Sequence, residues 1–153
     1  MKKKERISAA EAYQWLVECD EKFCPPKWTK ERLDKYAEKL STNAHWILLE
    51  NDGYKKGFVA YYLNENNKFI FISIIAVKKT YRGQGLGKWL MANVVELISD
   101  KFNIISLEVS KDNISAKKLY ESFGFEIVED RGQKVLMNMY LKSGTRKSSR
   151  LQM

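Results

Sequence analysis

The sequence predicts a single α/β domain, and three observations carry that prediction. Two stretches near the start repeat apolar residues at helical spacing, a middle stretch breaks into short apolar segments divided by turn residues, and a glycine-rich turn separates the longest apolar segment from another helical stripe. A chain of 153 residues, 44% hydrophobic and 30% charged, has the size and composition of one soluble unit that builds its core without disulfides or metal.

Each element follows from local chemistry. Ser8 and Glu11 have capping-box spacing, and Ala12, Trp15, Leu16 and Cys19 then share one face, predicting a helix over 8–22. Pro25-Pro26 interrupts it, and Thr29 caps a second helix over 29–41 that carries Leu33, Tyr36, Ala37 and Leu40. From Ala44 the pattern changes to strands at Trp46 to Leu49 and Phe58 to Leu63, with turns at Asn51-Asp52-Gly53 and Asn64-Glu65-Asn66-Asn67. This is an antiparallel meander. The next segment, Phe69 to Val77, is apolar apart from Ser73, as expected of a central strand covered on both faces.

After Arg82-Gly83-Gln84-Gly85-Leu86-Gly87, a stripe of Leu86, Leu90, Val94 and Leu97 predicts a long helix reaching about Ser99. Ile104 to Val109 reads as a strand. Asn113 caps a helix bearing Ala116, Leu119, Tyr120 and Phe123, and Gly124 ends it. Two last strands, about 125–130 and 134–141, flank Arg131-Gly132. The domain therefore occupies 1–142, and the basic tail 143–153, with little to bury, is expected to be disordered.

The net charge of +8 is concentrated at the ends. Residues 1–6 carry +3 and the tail from Lys142 carries +4, which leaves +1 for the body. A nearly neutral body gives no reason to expect nucleic acid as the main partner; binding through the basic ends would be salt-sensitive. No apolar run is long enough to span a bilayer, and no apolar stretch follows Met1-Lys2-Lys3-Lys4, so no membrane is implied and the expected location is cytoplasmic. Cys19 and Cys24 lack the number and spacing of a disulfide framework or metal site.

The glycine loop is the first chemical signal. Between a strand and a helix, free N–H groups and the helix dipole favour an anion such as a pyrophosphate, and glycines let the backbone approach it. Glycines also serve tight turns that bind nothing. Two commoner nucleotide motifs fail. A Walker loop needs glycine where Arg82 stands and Ser or Thr where Trp89 stands, and the dinucleotide fingerprint needs glycine where Lys88 stands.

Arg82, Gly85 and Gly87 match the pyrophosphate signature of the GNAT superfamily of N-acetyltransferases. Leu107-Glu108-Val109 and Asn113-Ile114-Ser115-Ala116-Lys117-Lys118-Leu119-Tyr120-Glu121-Ser122-Phe123-Gly124-Phe125 resemble its second cofactor segment, at the right spacing over about 70–128. The resemblance implies a mixed, mostly antiparallel sheet, splayed between the fourth and fifth family strands and flanked by about four helices. It implies acetyl-CoA as co-substrate and no metal. The pantetheine arm would pair near Ile75 and Val77, with a bulge around Ser73-Ile74-Ile75; Arg82, Gly83, Gln84, Gly85, Leu86, Gly87 and Lys88 would hold the pyrophosphate; and Asn113, Ala116 and Tyr120 would also contact the cofactor. The family also begins with a strand, for which Met1 to Ile7 is short and highly charged.

Amide formation from a thioester requires removal of a proton from the amine and a proton for the departing thiolate. By the resemblance, Tyr120 would protonate the sulfur, and Glu108 would act as general base as in ribosomal-protein N-terminal acetyltransferases. The residues alone leave open a core tyrosine and a surface glutamate. His45 and the aromatic residues Trp15, Trp28 and Tyr36 read as structural. The expected acceptor is a small-molecule amine, an amino sugar or amino acid. A protein N-terminus, or a sensor that binds acyl-CoA without turnover, is the alternative. An apolar surface on the last strands would support a homodimer.

Overall fold

The computed structural model describes residues 2–20, 23, 28–97 and 101–140. In chain order the elements are β1 (Lys2–Lys4), α1 (Ala9–Cys19), α2 (Lys30–Asn43), β2 (His45–Asn51), β3 (Tyr54–Asn64), β4 (Phe69–Val77), a 3-10 turn (Lys79–Tyr81), α3 (Leu86–Val95), β5 (Ile104–Ser110), α4 (Ile114–Ser122), β6 (Glu126–Arg131) and β7 (Lys134–Tyr140). The strands form one mixed sheet in the order β1-β2-β3-β4-β5-β7-β6. The α/β class and four helices stand as expected. Cys24, Pro25-Pro26, Ser99 and the tail 143–153 lie outside the described residues.

The described chain divides into two compact units, one from Met1–Tyr62 with Ser73–Val94, the other from Leu63–Ile72 with the described residues from Val95 onward. In the first, Ser8 caps α1 by accepting from the Glu11 N–H at 3.1 Å, and the Glu11 carboxylate returns to Ser8, completing the capping box. Thr29 caps α2 in the same way through Arg32 N–H. The apolar faces of both helices join Trp46, Phe58, Ala60, Ile74 and Ala76 in one buried cluster. Trp15 meets the Phe58 ring edge-on at 6.1 Å, so α1 is seated on β3 by an aromatic contact that adds to the area buried.

Three expectations change. The charged start does form a strand: Lys2, Lys3 and Lys4 pair antiparallel with Leu48, Ile47 and Trp46. Backbone pairing needs no apolar side chains, and exposed lysines suit a sheet edge. β3 begins earlier than its apolar run, because Tyr54 and Lys55 continue pairing with Asn51 and Glu50 beyond a register shift at Leu49/Glu50. α3 stops at Val95, with Glu96 and Leu97 in a turn. Leu97 keeps the apolar spacing, but no glycine or proline marks the true end.

β4, expected to be covered on both faces, alternates strictly between buried and half-buried positions, so only one face is fully covered, and the alternation runs through Ser73, Ile74 and Ile75 without a break. In the second unit β4 and β5 are parallel, pairing Phe69 to Ile72 with Ile104 to Leu107. β5 then pairs antiparallel with β7 along its whole length, from Ile104↔Tyr140 to Ser110↔Lys134. Ile105, Leu107, Val109, Val135, Met137 and Met139 bury the inner positions of this ladder.

Candidate functional site

The first group of candidate residues follows β4 in the first unit. The 3-10 turn reverses the chain, and Gly83 and Gly85 both take left-handed backbone angles, with φ of +82° and +80°. An added Cβ at either would meet nothing within 4 Å, so these glycines serve the path of the chain and leave open space above it. The Gly85 carbonyl accepts from Trp89 N–H at 3.0 Å and starts α3. As in any helix, the N–H groups of its first turn lack partners within the helix, which is where an anion is accommodated.

Arg82 bends back, and its Nε donates to the Val77 carbonyl at 3.0 Å. Gln84 and Lys88 are exposed, Leu86 and Gly87 are half-buried at the start of the helix, and Ile75 and Val77 occupy half-buried positions of β4. The residues expected around a pyrophosphate are thus adjacent along one turn. Gly57, which no motif marked, belongs to their support. A Cβ there would stand 2.7 Å from the Ala76 carbonyl and 3.3 Å from Leu90 Cδ1, so glycine is what lets β3, β4 and α3 close together.

Sequence reasoning also missed a hydroxyl cluster in this unit. The Tyr36 and Ser73 hydroxyls lie 3.0 Å apart. Burial raises the pKa of both Tyr36 and Tyr62. The buried Tyr62 oxygen makes no hydrogen bond of good geometry. Tyr36 at helical spacing reads as core and Tyr62 as part of a strand, so only the fold brings them to Ser73. His45 stacks on Tyr61 at 5.5 Å, and burial, then Arg6, lowers its pKa, in keeping with a structural role.

The second group lies in the second unit. Asn113 caps α4, its side chain accepting from Ala116 N–H at 3.2 Å. Gly124, with φ of +99°, turns the chain after the helix. Tyr120 is buried beside Phe125, ring centres 5.9 Å apart, and burial pushes its hydroxyl pKa up to about 12. Glu108 is exposed on β5 opposite Leu136, and its carboxylate accepts from Arg131 at 2.8 Å. Arg131 also pairs with Glu129. The turn that presents Arg131 is fixed by Gly132, whose N–H donates to Asp130 at 2.9 Å, while Asp130 is paired with Lys111. This partner of Glu108 stands 23 residues away and left no sequence signal. Among the described residues, no cluster of His, Cys, Asp and Glu could hold a metal ion, and Cys19 is a buried free thiol.

Residues 9–125 match the family model described as the acetyltransferase (GNAT) family. The chain belongs to the GNAT acetyltransferase family. Over 102 residues this GNAT protein is 36% identical to a Bacillus subtilis (strain 168) protein that carries the name ribosomal protein bS18-alanine N-acetyltransferase, spanning 65% of this chain and 64% of that protein. It therefore covers less than two thirds of that curated relative. The crystal structure of the ribosomal-protein-S18-alanine N-acetyltransferase from Escherichia coli shares its fold, with a TM-score of 0.70 and 18% identity over 94% of this chain and 95% of the other. A Bacillus anthracis structure described as a streptothricin acetyltransferase in complex with acetyl coenzyme A is 26% identical, with a TM-score of 0.57, over 65% of this chain and 64% of that one. No described helix is long and apolar enough to cross a membrane.

Proposed function

We propose that this GNAT protein transfers the acetyl group of acetyl-CoA to the α-amine of a protein N-terminus. The observation that carries the acceptor is the 36% identity to the Bacillus protein named for bS18-alanine acetylation. A small-molecule amine is the second reading, supported by the likeness to the streptothricin acetyltransferase. The protein would work in the cytoplasm as domain 1–142, with the tail 143–153 dispensable for turnover. The exposed Ile127, Val128 and Tyr140 on β6 and β7 support a homodimer, to be checked by sedimentation.

The residues fit the co-substrate. The open space over Gly83 and Gly85 and the first N–H groups of α3 suit a pyrophosphate, joined by Gln84, Leu86, Gly87, Lys88 and the Arg82 guanidinium. Ile75 and Val77 would offer backbone groups to the pantetheine amides, and Asn113 and Ala116 would line the cofactor beside Tyr120. Acetyl-CoA supplies an activated acetyl thioester; the neutral amine attacks its carbonyl carbon, the nitrogen gives up its second proton to water, the C–S bond breaks, and the thiolate leaves.

Glu108 would take the ammonium proton, directly or through water, so that a neutral amine attacks. Tyr120 would donate a hydrogen bond to the leaving sulfur. Burial, which pushes its pKa up to about 12, keeps the Tyr120 hydroxyl protonated and available as a donor at neutral pH. Tyr120 would therefore stabilise the thiolate as it forms and supply its proton.

The test is thiol release from acetyl-CoA with a panel of peptide N-termini, amino acids, amino sugars and polyamines, with product masses confirmed. Turnover with peptides supports the first reading, and turnover with small amines alone supports the second. Tight acetyl-CoA binding without turnover points to a sensor, and no binding at all refutes the reading of residues 82–88.

A further inference from the structure

The second unit holds a cavity of about 260 Å³ lined by Phe69, Phe71, Ile104, Ser106, Leu136 and Asn138, with Arg131 at its edge. Its walls are mainly apolar, and its few polar members are Ser106 and Asn138, whose side-chain nitrogen donates to the Tyr140 hydroxyl at 3.0 Å. A mainly apolar depression is poorly served by water, so it suits an apolar group that would itself leave water on binding. The volume is below the roughly 300–1,000 Å³ of sites for drug-sized ligands and suits a fragment the size of one side chain.

The cavity opens beside Glu108. Leu136, a wall residue, is the cross-strand partner of Glu108, and Arg131 joins the Glu108 carboxylate to the cavity edge. Ser106 and Glu108 lie on the same face of β5, two residues or about 7 Å apart. Arg131 with Glu108 and Glu129 leaves this edge one negative charge in excess, favourable to an ammonium group. An amine at Glu108 would therefore hold its neighbouring side chain over the cavity.

We propose that this cavity binds the apolar side chain of the residue next to the reacting amine. The inference rests on the N-terminal acceptor reading and narrows it to peptides carrying a bulky apolar second residue.

The probes are Gly-Phe-Gly-amide and triglycine-amide, which differ only in the phenyl group. Binding is followed through the NMR signals of the Asn138 side-chain amide, and turnover through thiol release. Burial of the ring should favour the Phe peptide about tenfold or more, in dissociation constant and in kcat/KM, and should move the Asn138 signal. Ser106→Leu fills the cavity and should bring the ratio between the peptides to within about twofold. If Ser106→Leu does not fold, Ser106→Val serves instead. It fills less of the cavity, so it should lower the preference for the Phe peptide while acetyl-CoA affinity stays at the native value, a combination that a purely structural role would not give.

Equal use of both peptides by the native protein overturns the cavity proposal and leaves the acceptor reading standing. Binding of the Phe peptide at Asn138 with no acetylation of either peptide keeps the cavity as a ligand site and removes the acceptor reading. If neither peptide binds or reacts, both fall.

Discussion

Replacing Tyr120 by phenylalanine separates what its ring does from what its hydroxyl does. The ring fills a site only 7% exposed and packs on Phe125, so the variant should fold with close to native stability at pH 7. The hydroxyl is held protonated by burial, with a pKa of about 12 against the ordinary 10.0. Between these values the unfolded chain loses the proton and the folded one keeps it. The native protein should thus lose stability as pH rises from 10 to 12, by about 1.4 kcal/mol per unit or roughly 3 kcal/mol from this group alone. The variant should lose correspondingly less, as read from urea unfolding at stepped pH. Catalysis responds through a different quantity. A hydrogen bond to a charged group is worth about 1.5–3 kcal/mol, so kcat should fall about 10- to 150-fold while the acetyl-CoA dissociation constant holds. A kcat within threefold of native with normal acetyl-CoA binding would refute the role given to Tyr120; an unchanged alkaline limb would refute the burial argument.

Glu108→Gln should lower kcat/KM at least about tenfold and remove the acid limb of its pH profile, with acetyl-CoA affinity unchanged; a uniform effect across pH would take Glu108 out of proton transfer. Gly57→Ala puts a methyl 2.7 Å from the Ala76 carbonyl and should cost about 1–3 kcal/mol in urea unfolding, with weakened acetyl-CoA binding as α3 shifts. Ser8→Ala breaks the capping box and should cost about 1 kcal/mol, seen as a lower urea midpoint with an unchanged slope and unchanged turnover.

The sequence was most legible where chemistry is local. Ser8 with Glu11, Thr29 and Asn113 announced three helix starts because a cap is made within three residues, and the Arg82 to Gly87 turn was readable because left-handed angles leave few choices but glycine. β1 was poorly legible, since backbone pairing with β2 supplies its order. Arg131 beside Glu108, Ser73 beside Tyr36, and Asn138 in the cavity wall depend on strand register or helix docking, and no short window of sequence carries either. Glu108 remains the clearest case. Its position on β5 was readable, but the cation it faces is set by the length of the β6–β7 turn.

Three lysines at the start have a practical consequence for anyone producing this protein. By lying along β2, they occupy a rim whose outward-facing backbone groups between Trp46 and Leu48 would otherwise stand unpaired before any extended chain nearby. A purification tag that pulls those first residues away, or a trimmed start, would turn a sealed border into an adhesive one. Loss of yield through fibrous or amorphous precipitation would then arise with every catalytic residue intact.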